Sequence, residues 1–267
     1  MALNLQIVCI DIQKDFTRPN GALYVKGGED NAGRTSKMIK RLTPKISDIH
    51  VTMDSHDLID ISHPTWWIND SGNAPAPFTV ITPTDFKAGK WRTRSAKARD
   101  RSYKYLQALE ATGRYPHMIW PEHCLIGREG NNLNDDLVDA IDYWERTRYA
   151  TANKVTKGSN PYTEHFSAVR AEVPDPEDPT TQLNRPLIQV FETADMLAWT
   201  GEALSHCLAN TFRDTVNAFS DPNLIKKMWL LTDTTSNVTG CEALGDAFIK
   251  EMTGRGMNVS TSVDFLA

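Results

Sequence analysis

Three continuous apolar runs constrain this chain most: Leu5-Gln-Ile-Val-Cys-Ile10, Ile49-His-Val-Thr-Met53 and Met196-Leu-Ala-Trp-Thr-Gly201. A strand with one face in water alternates apolar and polar residues, whereas a strand covered on both faces of a parallel sheet is apolar nearly throughout. Between and after these runs the period changes. Met38, Ile39 and Leu42 share one face of a helical pattern from about Arg34 to Leu42, and Phe212, Val216 and Phe219 share another. Strand, helix and parallel strand in succession form a βαβ unit, whose crossovers put helices on the sheet faces. The expected architecture is therefore α/β: three layers, α/β/α, around a central, mostly parallel, Rossmann-like sheet.

The remaining pattern extends this reading. Helical stretches are expected at about Ser95–Thr112 with Gly113 as C-cap, Leu133–Tyr143, and Glu242–Met252 with a cap near Gly254 or Gly256. Further strands are expected at His117–Ile119 (short), Ala150–Thr156, Lys227–Thr232 and Met257–Val263. A single domain over residues 1–267 accounts for the length. Two stretches resist the pattern and read as insertions, one at about 58–115 and a smaller one at about 171–186, which contains the Pro- and acid-rich run Glu172-Val-Pro-Asp-Pro-Glu-Asp-Pro.

Composition excludes several classes. The 40% apolar and 24% charged content is that of an ordinary globular chain. No apolar stretch approaches the roughly 20 residues of a membrane-spanning helix. The start, Met1-Ala-Leu-Asn-Leu, lacks the basic region and cleavage site of a signal peptide, so a cytoplasmic location is expected. The four cysteines, Cys9, Cys124, Cys207 and Cys241, are widely spaced and read as free thiols. A net charge of −5 gives no global attraction to nucleic acid. Lys87, Lys90, Arg92, Arg94, Lys97, Arg99, Arg101 and Lys104 do form a basic run opposed only by Asp85 and Asp100. A solvated helix face with no aromatic-stacking pattern around it is the more common explanation, and binding of nucleic acid or protein through this run is the alternative from a different class.

Chemistry gathers at strand ends, where open α/β sheets bind ligands. The first run ends on Asp11 and the second on Asp54; Ala150–Thr156 leads to Lys157-Gly158, and the third leads to Cys207 at the start of a helix. The free N–H groups and positive dipole end of a helix favour thiolate over thiol. Each residue also has a plain explanation: Cys207 as a small buried apolar group, Asp11 as a cap, Lys157 as an exposed cation. In an extended Asp54-Ser-His56 the two outer side chains point the same way. They can converge on a divalent ion with His123, and His63 lies nearby. Together the four strand ends offer a nucleophile, a base, a cation and a metal site.

In the order and number of these motifs the chain resembles the isochorismatase-like cysteine hydrolases, and among them most closely the nicotinamidases. The opening motif is similar in Val8-Cys-Ile-Asp11-Ile-Gln13-Lys-Asp15-Phe16 and in Gly21-Ala-Leu-Tyr-Val25. The metal motif is similar in Asp54-x-His56 with Trp120-Pro121-x-His123-Cys124. Lys157-Gly158 with Phe166-Ser167 matches the Lys-Gly element, and that spacing selects Lys157 over Lys154. Gly201 to Cys207 matches the nucleophile motif, and Asp233-Thr234 the closing unit.

The resemblance implies a catalytic triad of Asp11, Lys157 and Cys207. It implies one divalent ion, zinc with iron or manganese as alternatives, held by Asp54, His56 and His123 with His63 as an additional candidate. Phe16 and Trp120 match positions that sandwich a pyridine ring. Ala203 and Cys207 match those that supply an oxyanion hole, and the Glu202–Ala203 peptide matches one often cis. The expected reaction is hydrolysis of nicotinamide to nicotinate and ammonia through a Cys207 thioester. A ureido or carbamoyl amide is the alternative substrate. The expected partner is a small amide, with no membrane and no nucleic acid, and homo-oligomerisation stays open. Three departures stand out: the long separation of His56 from His123, Ser205-His206 in place of Asp-Tyr, and Phe166 in place of Tyr.

Overall fold

The computed structural model describes residues 3–267. The chain opens with β1 (Leu5–Ile10), a short α1 (Lys14–Thr17), α2 (Gly28–Leu42) and β2 (Ile46–Asp54). Next come the two-residue strands β3 (Trp67–Ile68) and β4 (Arg92–Thr93), with α3 (Pro83–Lys87) between them and α4 (Arg99–Thr112) after. Then follow α5 (Asp135–Arg148), β5 (Asn153–Lys157), α6 (Arg185–Thr193), β6 (Met196–Gly201), α7 (Ala209–Ala218), β7 (Met228–Leu231), α8 (Glu242–Arg255) and β8 (Asn258–Ser260).

Six of the strands form one sheet in the order β5-β2-β1-β6-β7-β8, all parallel. The three-layer α/β architecture read from the sequence is the one the chain adopts. β1 shows why its run is apolar throughout. Leu5, Ile7 and Cys9 enter one core with Met38 and Ile39 of α2 and Leu137 and Trp144 of α5. Val8 and Ile10 enter the opposite core with Phe191 of α6, Phe212 of α7 and Phe248 of α8. Alternate side chains of one strand thus serve the two sheet faces. Chain order reverses across β1 and β6, and a crevice opens beyond the carboxyl ends of strands at such a reversal.

Some boundaries differ from expectation. α2 starts at Gly28, ahead of Arg34, because its first turns carry Glu29, Asp30 and Asn31, which suit the positive helix end but show no apolar period. His117–Ile119 is outside the sheet: it pairs with residues 79–81, through Ile119 N–H to Thr79 O (2.9 Å) and Ile81 N–H to His117 O (3.0 Å). β5 already occupies the edge of β2 that a further strand would need. Segment 58–120 builds a core of its own from Ile61, Trp66, Trp67, Ile81, Phe86, Tyr105, Leu106, Leu109 and Ile119. Among the described residues no helix is long and apolar enough to cross a membrane.

Candidate active site

The site is assembled from strand ends. Asp11 follows β1 with φ +46 and is fully buried. Thr52 of β2 fixes it, accepting the Asp11 N–H at 3.0 Å and donating its hydroxyl to Asp11 Oδ1 at 2.5 Å. The other oxygen, Oδ2, lies 2.9 Å from the Lys157 ammonium at the end of β5. The same ammonium is 2.9 Å from Asp54 Oδ1 and 3.7 Å from Cys207 Sγ. Lys154, in the same strand, turns the other way and pairs with Glu145 at 3.8 Å. One buried cation therefore joins two carboxylates and the thiol.

Gly201 makes the turn to the thiol, with φ +112. A Cβ there would stand 2.0 Å from the Ile10 carbonyl oxygen, so only glycine lets the end of β6 lie against β1. The following peptide, Glu202–Ala203, is cis. The chain then winds through a wide turn in which Leu208 N–H reaches back to Ala203 O at 3.1 Å, and α7 follows. Cys207 sits in this turn. Among the described residues the Ala203 N–H has no hydrogen-bond acceptor. That leaves it available to a developing oxyanion.

Burial sets the electrostatics. It works against the Lys157 ammonium, but Asp11 and Asp54 outweigh it and hold the pKa well above the ordinary lysine range. Burial raises the Asp11 carboxyl, opposed by Lys157. It also pushes the Cys207 thiol well up, with Lys157 opposing and the Asp11 hydrogen bond adding. The shift runs opposite to the lowering expected from helix position alone, because burial is its largest cause.

The metal candidates meet at Asp54. His56 Nε2 is 3.1 Å and His123 Nε2 3.3 Å from Asp54 Oδ2, and one ligand atom from each residue lies within 4.8 Å of the others. His56 Nδ1 donates to Asp60 Oδ2 at 3.1 Å, and His123 Nδ1 donates to the Pro121 carbonyl at 2.7 Å. With both Nδ1 protons so engaged, the two Nε2 atoms face one buried carboxylate. That is the arrangement in which outer partners fix metal-ligating tautomers. This donor set fits a divalent ion such as zinc. His63 borders the group, its ring 5.1 Å from His56 and 5.5 Å from His123, but it lies outside the tight set. Both its nitrogens are buried without a hydrogen-bond partner among the described residues. Gly158 closes the far side: with φ +84, a Cβ there would be 2.8 Å from Asp54 Oδ1.

Beside thiol and ligands lies a cavity walled by Phe16, Trp120, Phe166, Ala203, His206 and Val238. Every site residue singled out in the sequence is thus in the cavity, at its metal edge or on Lys157. Glu164 was missed. It also lines the cavity, accepts from Trp120 Nε1 at 3.2 Å, and is pushed by burial up to about 7. Thr52 and Asp60 were missed as well. Thr52 and Glu164 pair with partners more than 40 residues away in the chain, and Asp60, only four residues from His56, lies in an irregular stretch with no period to mark it.

No family model and no curated protein matches this sequence. Solved structures do. A yeast nicotinamidase bound to the inhibitor nicotinaldehyde superposes with TM-score 0.65 at 18% identity, covering 96% of this chain and 99% of that one. An Acinetobacter baumanii nicotinamidase/pyrazinamidase gives 0.65 at 19% identity, with 99% of each chain covered. A Pyrococcus horikoshii pyrazinamidase in complex with zinc gives 0.55 at 17%, covering 97% and 99%. At these identities the likeness is one of fold: this chain folds as those enzymes do over essentially its whole length.

Proposed function

We propose that the protein is a metal-aided cysteine amidohydrolase acting on nicotinamide. The observation that carries this reading is the placement of Lys157, which joins Asp11, Cys207 and the metal ligand Asp54 in one buried contact set. A structural lysine has no need of a thiol and two carboxylates at once.

The residues account for the chemistry of an amide. Asp11 takes the Cys207 proton as sulfur attacks the carboxamide carbon, and Lys157 holds the charge that forms between them. The oxyanion is received by the backbone N–H groups of Ala203 and Cys207. Asp11 passes its proton to the nitrogen as the C–N bond breaks, and ammonia leaves a thioester. Asp11 then takes a proton from water attacking that thioester, and the proton returns to sulfur as the acid departs. Phe16 and Trp120 offer aromatic faces to the ring. A divalent ion held by Asp54, His56 and His123 supplies Lewis-acid chemistry and fixed positive charge at that edge of the cavity.

A second reading, hydrolysis of a ureido or carbamoyl amide, draws on Glu164, since a carboxyl in the cavity wall suits an N–H-rich substrate. Ammonia release from nicotinamide and from a panel of ureido and carbamoyl amides, with and without chelator, separates the two. Chelator-sensitive turnover of nicotinamide that disappears in Cys207→Ala is the expected result. Turnover confined to the ureido or carbamoyl compounds overturns the nicotinamide assignment.

A further inference from the structure

The mechanism leaves one buried carboxyl beside the nucleophile turn without a task. Glu202 is 1% exposed and precedes Ala203 directly. Its Oε1 accepts from Asn31 Nδ2 of α2 at 2.7 Å, and its Oε2 accepts from the Ser236 N–H at 2.9 Å. Its own N–H binds the Ile10 carbonyl, next to Asp11, at 2.8 Å. Ser236 in turn accepts the Leu204 N–H on its carbonyl at 2.8 Å and the other Asn31 amide hydrogen on its hydroxyl, also at 2.8 Å. Two residues on, the Val238 N–H donates to Ser205 Oγ at 3.1 Å, and the Val238 side chain forms a wall of the cavity. The turn that carries Ala203 and Cys207 is therefore clipped to α2, to β1 and to segment 235–238 through one side chain and its immediate neighbours.

We propose that Glu202 is a positioning residue for the reaction: its two oxygens hold the 235–238 segment and α2 against the nucleophile turn and so fix where the oxyanion is received. This rests on the amide-hydrolysis reading. The choice of residue follows from donor counting. Both partners of the carboxyl are N–H groups, and the Asn31 orientation is set by Arg34, whose guanidinium donates to Asn31 Oδ1 at 3.1 Å. Only a side chain with two acceptors meets two donors. An amide would turn its own N–H on one of them and leave a buried donor unpaired. Burial raises this carboxyl, but N–H donors on both of its oxygens favour the ionised form, and with no cation among its partners the two hydrogen bonds carry the site.

The test uses Glu202→Gln and the double variant Glu202→Gln/Asn31→Asp, in which the new amide N–H meets a new carboxylate. Four quantities are read on the full chain: kcat and KM for nicotinamide, affinity for nicotinaldehyde, alkylation of Cys207 by iodoacetamide, and Tm. Nicotinaldehyde reports on the oxyanion position, because the thiol adds across its C=O, forming the S–C bond while the sulfur's proton passes to oxygen. Alkylation needs only a reactive sulfur. In Glu202→Gln, kcat and aldehyde affinity are expected to fall together by about 10- to 100-fold, as for a small misplacement of a reacting group. KM and alkylation rate stay within about twofold, and the double variant recovers to within about threefold of wild type. Unchanged kcat and aldehyde affinity, or losses that follow Tm and are not recovered by the double variant, overturn the proposal. A wild-type protein that turns over no amide defeats the amide-hydrolysis reading alone, since aldehyde affinity against alkylation still decides the role of Glu202.

Discussion

The strand ends and segment 58–120 meet at one cavity but are held in place by different means. Asp11, Asp54 and Lys157 project from the ends of neighbouring strands paired in parallel from β5 through β2 to β1, with a register shift only at Leu5/Gln6, at the opposite end of β1. Moving any of them means breaking sheet hydrogen bonds. Segment 58–120 has only two strands of two residues and short helical turns between β2 and α4, and an aromatic core anchors it. It nonetheless reaches the site: Asp60 orients His56, His63 borders the ligands, and Ser62 O accepts the Trp120 N–H at 2.8 Å. The sheet sets where Asp11, Asp54 and Lys157 stand, while the inserted segment adds Trp120 to a cavity wall otherwise built from other parts of the chain and supports His56 through Asp60.

The largest effect that tests this division is Cys207→Ala. On the proposed reading Cys207 acts as one unit with Asp11, and removing it should lower turnover by a factor on the order of 10⁴ or more. Cys207 is a buried member of the core cluster and alanine removes only its sulfur, so stability should change by about 1 kcal/mol. Calorimetry beside the amidase assay checks both. A variant that unfolds would give Cys207 the role of a small buried apolar residue.

How much of each region could be read beforehand follows the same line. β1 and β6 were legible to the residue, because burial on both faces leaves a continuous apolar run, and the carboxylate or thiol beyond each run marked the reactive edge. The inserted segment was not legible. Trp67 pairs with Thr93 and Ile68 with Arg92 across a long stretch of chain, and neither pair has a period to detect. Glu164 and Glu202 look like ordinary acids in the sequence; only the folded chain shows each with its donors inside the protein. His117–Ile119 looked like a sheet strand because its apolar content is the same whichever partner it pairs with.

Trp67→Ala probes the inserted side. Trp67 is fully buried, its Nε1 donates to Ile61 O at 2.7 Å, and its ring meets Phe86 and His117. Truncating such a side chain costs about 3–5 kcal/mol. The expected signature is a lower Tm and a raised KM, with iodoacetamide alkylation of Cys207 in the folded protein near the wild-type rate. Loss of thiol reactivity in parallel with KM would show that the inserted segment also sets the triad.

Gly158→Ala sharpens the boundary from the sheet side. The added methyl meets Asp54 Oδ1 at 2.8 Å and His56 Cε1 at 3.1 Å, at a φ of +84 that alanine tolerates poorly. Zinc affinity, read by competition with a chelating dye, should fall by about 10- to 100-fold, the range for disturbing the outer support of a metal site. Wild-type affinity in this variant would mean that the ligands gather without help from the end of β5.

The smallest expected effect tests whether the second inserted stretch is held by charge as the first is held by aromatics. Glu172 is buried, its two oxygens lack hydrogen-bond partners among the described residues, and Arg114 lies 3.6 Å away. Arg114 and Arg170 both turn to Asp214, which also faces Glu172. Burial, with Arg114 opposing, therefore pushes this carboxyl from the ordinary 4.5 up to about 7. Between those two values the folded protein keeps a proton that the unfolded chain has lost, so folding stability falls as pH rises through the window and levels off above it. Glu172→Gln removes the titration. Comparing chemical denaturation of the two proteins at pH 5 and pH 8 should show the variant gaining on wild type by about 1–2 kcal/mol at the higher pH, with the sheet end of the molecule and its thiol unaffected. A difference that stays constant with pH would mean that Arg114 pairs with Glu172 strongly enough to keep it ionised, and that the stretch is held by an ion pair.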